Sequence, residues 1–178
     1  ATVAALDDED TAASATDTAT VTYSNVDPAI TVVKTVDADG EGFSDSESVA
    51  EGTAGQTVDY QYVLTNTSAA STDPLTITSL LDDRGTVAPG DDINVLTAGT
   101  RVQTGGDDDE LLESGETWTY TVTDVTVPVG NVGETHVNTA TVAALDDEDT
   151  AASATDTATV TYTDVAPAIT VVKTVDAD

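Results

Sequence analysis

Apolar and polar residues alternate with a period of two along most of this chain, and the 3.6-residue period of a helix is nearly absent. Ile30, Val32 and Val36 share one phase of AITVVKTV, and Val58, Tyr60, Tyr62 and Leu64 share one phase of TVDYQYVLTNT. Trp118, Tyr120 and Val122 repeat the pattern in TWTYTVTDV. Ala158, Val160 and Tyr162 do so in TATVTYT, where Thr157, Thr159 and Thr161 take the opposite face. Leu75 with Ile77, and Ile93 with Val95, mark shorter candidates. Val, Thr and Tyr suit a pleated, half-buried surface. Turn-forming clusters separate the runs: Asp73-Pro74, Ala88-Pro89-Gly90-Asp91-Asp92 and Gly105-Gly106-Asp107. Short strands in series without helices between them predict an all-β, antiparallel β-sandwich. Large apolar residues are few, so the core is thin, which two facing sheets can supply.

A longer pattern lies over this one. Ala1–Asp39 recurs as Ala140–Asp178, an offset of 139, with differences only at Ser24/Thr163, Asn25/Asp164 and Asp27/Ala166. That near-identity is a duplication. The period is too long for a solenoid unit and fits a whole domain repeated in series. The boundary falls at Asp27-Pro28 and Ala166-Pro167, where proline fixes φ and removes a ladder donor. We therefore expect 1–27 to be closing strands of a preceding repeat, 28–166 one complete repeat, and 167–178 the opening strand of the next. The very short linker predicts a semi-rigid rod.

Charge adds a constraint. Thirty-four acidic residues face four basic ones (Lys34, Arg84, Arg101, Lys173), a net charge of −30. Such like charge opposes compaction unless cations screen or bind it. It disfavours nucleic acid and anionic membrane as partners. Adaptation to high salt, of a halophilic kind, and specific binding of divalent ions both fit. Cysteine is absent, and a repeat of this size can bury a core without disulfides. No apolar run reaches the roughly 18–20 residues of a membrane span, and no signal peptide is evident. The regular alternation sets most of the chain apart from an acidic disordered segment.

VTYxxVxPAITVVKTVDADG, VDYQYVLTNTS, GETWTYTVT and HVNTATVAA, in that order, resemble the repeat domain of unknown function found in large bacterial and archaeal surface and adhesin proteins. The matching features are Lys34 in the first strand, Val58 to Thr67, and Asn138 to Val142. The resemblance spans essentially the whole 28–166 unit. It implies an immunoglobulin-like antiparallel sandwich in tandem, on a cell surface or in an extracellular fibre. The acidic loops and the DDED segment depart from that pattern.

Three acidic stretches are candidate ion sites. In the first, Asp37, Asp39, Glu41 and Asp45 stand at relative positions 1, 3, 5 and 9, with Gly42 at 6, the spacing of a calcium loop. Position 12 is Ser48, so a bidentate ligand has to come from Glu47 or from elsewhere. The alternative is a solvated turn. In the second, setting Glu116 at position 12 places Asp107, Asp109 and Glu113 at 3, 5 and 9, with Gly105 at 1 and Glu110 at 6. The third, Asp146–Asp149, repeats as Asp7–Asp10 between two strands. It reads as a solvated hairpin tip, with an ion shared with a neighbouring repeat as the other reading. Asp82-Asp83 and Asp91-Asp92 read as solvated. Calcium suits these sites better than magnesium, which demands stricter octahedral geometry.

Lys34 is the one lysine of the full repeat and shares the inward phase of its strand. A buried lysine is costly unless paired. Sandwiches of related pilins and adhesins join a lysine to an asparagine by an isopeptide bond beside a carboxylate. That resemblance nominates Lys34, Asn138 and Asp59; the plain alternative is a Lys34 facing solvent or an acidic loop. Asn66-Thr67-Ser68 is a glycosylation sequon, so Asn66 is a candidate acceptor. His136 has no nucleophile motif or metal partners around it, and no phosphate-binding glycine loop is present, so no enzyme is expected.

The expected function is a structural tandem repeat of an extracellular filament or giant cell-surface protein, rigidified by calcium. The rival is a ligand-binding adhesin module recognising sugar or protein, for which Phe43 is the sole aromatic in an acidic loop. The expected partners are neighbouring repeats, or protomers of a homopolymer joined by strand addition.

Overall fold

The computed structural model describes residues 1–88 and 90–176. Pro89 of the expected turn, and Ala177 and Asp178 of the expected opening strand, lie outside the described residues. The chain begins with a small hairpin, β1 (Thr2–Leu6) and β2 (Ala12–Thr16). Two larger sheets follow. One contains, in spatial order, β3 (Ile30–Asp37), β5 (Thr57–Asn66), β9 (Thr117–Thr126) and β8 (Thr100–Thr104). The other contains β4 (Ser46–Ala50), β11 (Ala151–Thr163), β10 (Thr135–Leu145), β6 (Thr76–Asp82) and β7 (Ile93–Asn94). Neighbours are antiparallel except β4, which runs parallel to β11. A single helical turn, α1 (Val95–Ala98), links β7 to β8. In immunoglobulin lettering the sheets are A-B-E-D and A′-G-F-C-C′, so the fold is an immunoglobulin-like antiparallel sandwich.

The alternation read from the sequence is the burial pattern. Val58, Tyr60, Tyr62 and Leu64 of β5 and Trp118, Tyr120 and Val122 of β9 point inward. The facing sheet meets these bulky side chains with small ones: Ala140, Val142 and Ala144 of β10, and Ala152, Ala158 and Val160 of β11. A large face against a small face lets the two sheets pack closely. Two irregularities adjust the phase. In β9 the register slips near Asp124, whose φ is +59°, and the inward set moves on to Val125 and Val127. In β6 a bulge opposite Ala143/Ala144 turns Leu80 and Asp82 inward. Asp82, read from sequence as solvated, is therefore a core residue.

Tyr162 closes one end of the sandwich. Its hydroxyl donates to the Pro128 carbonyl at 2.6 Å. Its ring lies on Gly130, where a Cβ would come within 2.4 Å of the aromatic carbons.

Residues outside the two sheets repeat sequence found inside them. Tyr23 is 95% exposed whereas Tyr162 is 5%, and Ile169 is 95% exposed whereas Ile30 is 6%. Residues 164–176 form no strand, although 168–176 match 29–37, which include the whole of β3.

Adjacent residues of β6 give a direct test of the inward phase. Leu80→Ala is expected to cost about 3 kcal/mol. Leu81→Ala, on the outer face, is expected to change stability by no more than about 0.5 kcal/mol. Urea unfolding of the two variants measures both.

Candidate cation sites and a buried lysine cluster

The first acidic loop carries the chain from β3 in one sheet to β4 in the other. Val36 and Ser44 close it with paired backbone hydrogen bonds of 2.8 and 2.9 Å. Asp37 and Asp39 are turned onto their own backbone, and Glu47 onto a neighbouring hydroxyl. Asp37 Oδ1 accepts the N–H of Gly40 at 2.7 Å, Asp39 Oδ1 accepts that of Glu41 at 2.9 Å, and Glu47 accepts the Ser44 hydroxyl at 2.7 Å. Asp37, Asp39, Glu41, Asp45 and Glu47 do not gather into a group of three within ligand range. The spacing shared with a calcium loop serves here as a run of Asx turns.

The second loop does gather its acids. Asp107, Asp109 and Glu113 bring one oxygen each within 4.8 Å of one another. Glu116 is buried beside them, one oxygen accepting the Glu113 N–H at 3.2 Å and the other without a partner. Gly106, at φ +72°, lies against that carboxylate, and a Cβ there would stand 2.7 Å from Glu116 Cδ. The hydrogen bond with Glu116, then burial, then Asp109, Glu116 and Asp107 hold the Glu113 carboxyl above its ordinary pKa. Glu110 leaves the group to pair with Arg101 at 2.8 and 3.1 Å, and that guanidinium stacks 4.5 Å over Trp118.

A further group joins residues distant in sequence. Asp73, Asp146 and Glu148 also bring an oxygen each within 4.8 Å of one another. Asp146, expected in a solvated tip, is instead buried against Asp73. Its Oδ1 caps the β10–β11 turn by accepting the N–H groups of Glu148 at 3.0 Å and Thr150 at 2.6 Å. Its Oδ2, and Oδ2 of the equally buried Asp73, have no partner. Burial first, then Asp146 and Asp147, raises the Asp73 pKa. Burial first, then the hydrogen bond with Asp147, raises that of Glu148. Tyr23, Asn25 and Val26 line a cavity that Asp73 and Glu148 share. Asn25 donates across it to the Thr150 hydroxyl at 3.2 Å. Sequence spacing held no signal for Asp73, whose partners come from a hairpin more than seventy positions away.

Asn66 is a correction. It is buried, and its Nδ2 donates to the carbonyls of Asp73 at 2.8 Å and Leu112 at 2.9 Å, while its Oδ1 accepts the Ser68 N–H at 2.9 Å. The amide that a glycan would need ties the β5–β6 segment to the β8–β9 loop.

Lys34 is fully buried rather than solvated. Its ammonium pairs with Asp82 across the gap between the sheets. It sits 4.4 Å from the centre of the Tyr60 ring and 5.3 Å from that of Tyr62. The Tyr62 hydroxyl donates to the same Asp82 oxygen, and Arg84 N–H to the other at 2.9 Å. Burial pulls the Lys34 pKa down to about 8 against the opposing pull of Asp82, Asp83 and Asp156. Burial pushes Tyr60 up to about 12 and raises Tyr62. Asn138 is buried beside the Tyr60 hydroxyl, with neither end of its amide satisfied. Asp59 is a second correction: it lies on the outer phase of β5, and its Oδ1 accepts the Asp124 N–H at 2.9 Å. The carboxylate at Lys34 is Asp82, brought inward by the β6 bulge. His136 is half-buried over Gly85, and burial, then Lys34, lowers its pKa.

No protein-family model matches the chain, and no curated protein matches it. Among solved structures it is similar to AggA, the major subunit of aggregative adherence fimbriae type I from Escherichia coli, at 13% identity over 80% of this chain and 100% of that one, with a TM-score of 0.30. A likeness this slight carries no argument about assembly or ligand.

The raised carboxyl pKa values fix a sign. A group that holds its proton more tightly when folded stabilises the fold at low pH, and that contribution is lost as pH rises through the folded pKa. In a chelator, Asp73, Glu113 and Glu148 are therefore expected to titrate above their ordinary ranges by carboxyl NMR, each favouring the fold on acidification. Saturating calcium is expected to move the same midpoints down.

Proposed function

We propose that this chain is part of a structural tandem repeat of an extracellular filament or giant cell-surface protein, stiffened by calcium at its acidic loops. The observation that carries the repeat is the contrast between identical segments. Val3, Ala5 and Ala13 present an open apolar face, whereas their copies Val142, Ala144 and Ala152 are core. Ile169, Val171 and Val175 are bare, whereas Ile30, Val32 and Val36 are buried. The occupant that fits each bare face is the surface that covers its copy, which is another unit of the same sandwich, in the same chain or a second one. Hydrogen exchange tests this. Residues 168–176 are expected to exchange freely in this chain and to become protected in one carrying a further period after Asp178. Free exchange in the longer chain rules the repeat reading out.

Calcium is supported by two groups of three carboxylates, each with buried oxygens that lack a hydrogen-bond donor. Three negative oxygens crowded together repel unless protonated or bridged by a cation, and calcium accepts irregular oxygen shells. The group at Asp73, Asp146 and Glu148 stands beside residues 23–26, so an ion there would hold the linker against the sandwich. Thermal unfolding at fixed ionic strength decides the point. Calcium should raise the midpoint by several degrees over chelator, as expected for about 1–2 kcal/mol of binding free energy, and magnesium should do less. Asp73→Asn and Asp107→Asn should each raise the midpoint in chelator and shrink the calcium response. A midpoint indifferent to calcium leaves general salt adaptation as the meaning of the charge.

A further inference from the structure

Asn138 is the anomaly of the interior. A buried amide ordinarily satisfies both ends, yet Nδ2 and Oδ1 of Asn138 are both unpartnered in a fully buried side chain. The side chain points inward from β10 in phase with Ala140, which lies directly opposite Asp82 in the β10–β6 ladder. Asn138 is thus a diagonal neighbour of Asp82 on the inner face. Lys34 reaches the same space from the facing sheet, with its Nζ on Asp82 and over the Tyr60 ring. Tyr60 brackets the gap, its ring under the amine and its hydroxyl beside the amide. An amine, an amide and a carboxylate therefore share a pocket closed to water.

We propose that Lys34 and Asn138 are joined by an intramolecular isopeptide bond, formed by the folded chain itself with Asp82 as the catalytic acid and base. Within the buried ion pair the Lys34 ammonium passes a proton to Asp82, leaving a neutral amine and a carboxylic acid. Burial favours this neutral pair, as the lowered Lys34 pKa indicates. The amine lone pair attacks Asn138 Cγ, and the Asp82 proton polarises the carbonyl oxygen. Asp82 takes a proton from the attacking nitrogen and one passes to the leaving amide nitrogen. The Cγ–Nδ2 bond breaks, ammonia departs, and a secondary amide links β3 to β10. No oxidant, metal or second substrate is consumed. Tyr62, hydrogen-bonded to Asp82, is a positioning residue. The bond would replace the buried charge and the unsatisfied amide with one neutral amide, crosslinking the two sheets.

Intact mass under denaturing conditions tests this without regard to calcium. The expected mass is about 17 Da below the sequence value, the mass of ammonia, with a digest fragment joining the Lys34 and Asn138 peptides. Asp82→Asn and Lys34→Met, checked for folding by circular dichroism, should show the full mass. An unmodified mass for the natural chain overturns the proposal. So does a loss of about 18 Da, that of water, mapped to Lys34 and Asp82, or an ammonia loss mapped to any other asparagine.

Discussion

Among the described residues, one buried ion pair crosses between the two sheets of this sandwich. Lys34 belongs to the first sheet and Asp82 to the second, and both are fully buried. A buried ion pair holds sheets together weakly in net terms, because desolvation offsets much of the attraction. Its force lies in the penalty for separation, since sliding either strand by one residue would strand a charge in the core. The bulge in β6 and the inward phase of β3 are both needed to bring the pair together. Around it, Tyr60, Tyr62 and Trp118 supply the bulk, and the alanines of β10 and β11 make room for it.

Three arrangements recur among the remaining acids. Some are spent on local backbone, as Asp37 and Asp39 are in the sheet-switching loop. Glu110 is paired with Arg101, which covers the Trp118 ring. A few are brought together with like charge: Asp107, Asp109 and Glu113 in one place, Asp73, Asp146 and Glu148 in another. Only this last class crowds like charges that need a proton or a cation between them. Net charge alone does not distinguish the classes, because it counts each carboxylate equally whatever its partners.

Much of the fold was legible because a strand announces its faces in its own residues. The inward sets of β3, β5, β9 and β11 follow directly from alternation. The carboxylate groups were legible only where their members are close in sequence. Asp107, Asp109 and Glu113 lie in one loop, whereas Asp73 meets Asp146 only because β6 pairs with β10. At Asp37–Glu47 the intervals of a calcium loop also produce Asx turns, so spacing alone does not separate the two. Asp59 was the nearer carboxylate to Lys34 by strand pairing, but it occupies the outer phase, and a bulge invisible in the sequence delivered Asp82 instead.

The duplicated segments separate what sequence determines from what tertiary structure decides. The DDED turn is the same in both copies. Asp7 Oδ1 accepts from Glu9 and Thr11 as Asp146 Oδ1 does from Glu148 and Thr150, and Asp10 and Asp149 share φ near +62° and +63°. Every bond of that turn lies within five residues, so the local chain suffices. Strand length is not shared: Ala12–Thr16 stops after five residues, whereas its copy in β11 runs on to Thr163. The sequence of β3 forms no strand at 168–176. A strand's ladder bonds and buried face are both supplied by other strands. The sequence fixes which face of each segment is apolar, and only the assembled sandwich decides whether that face is covered.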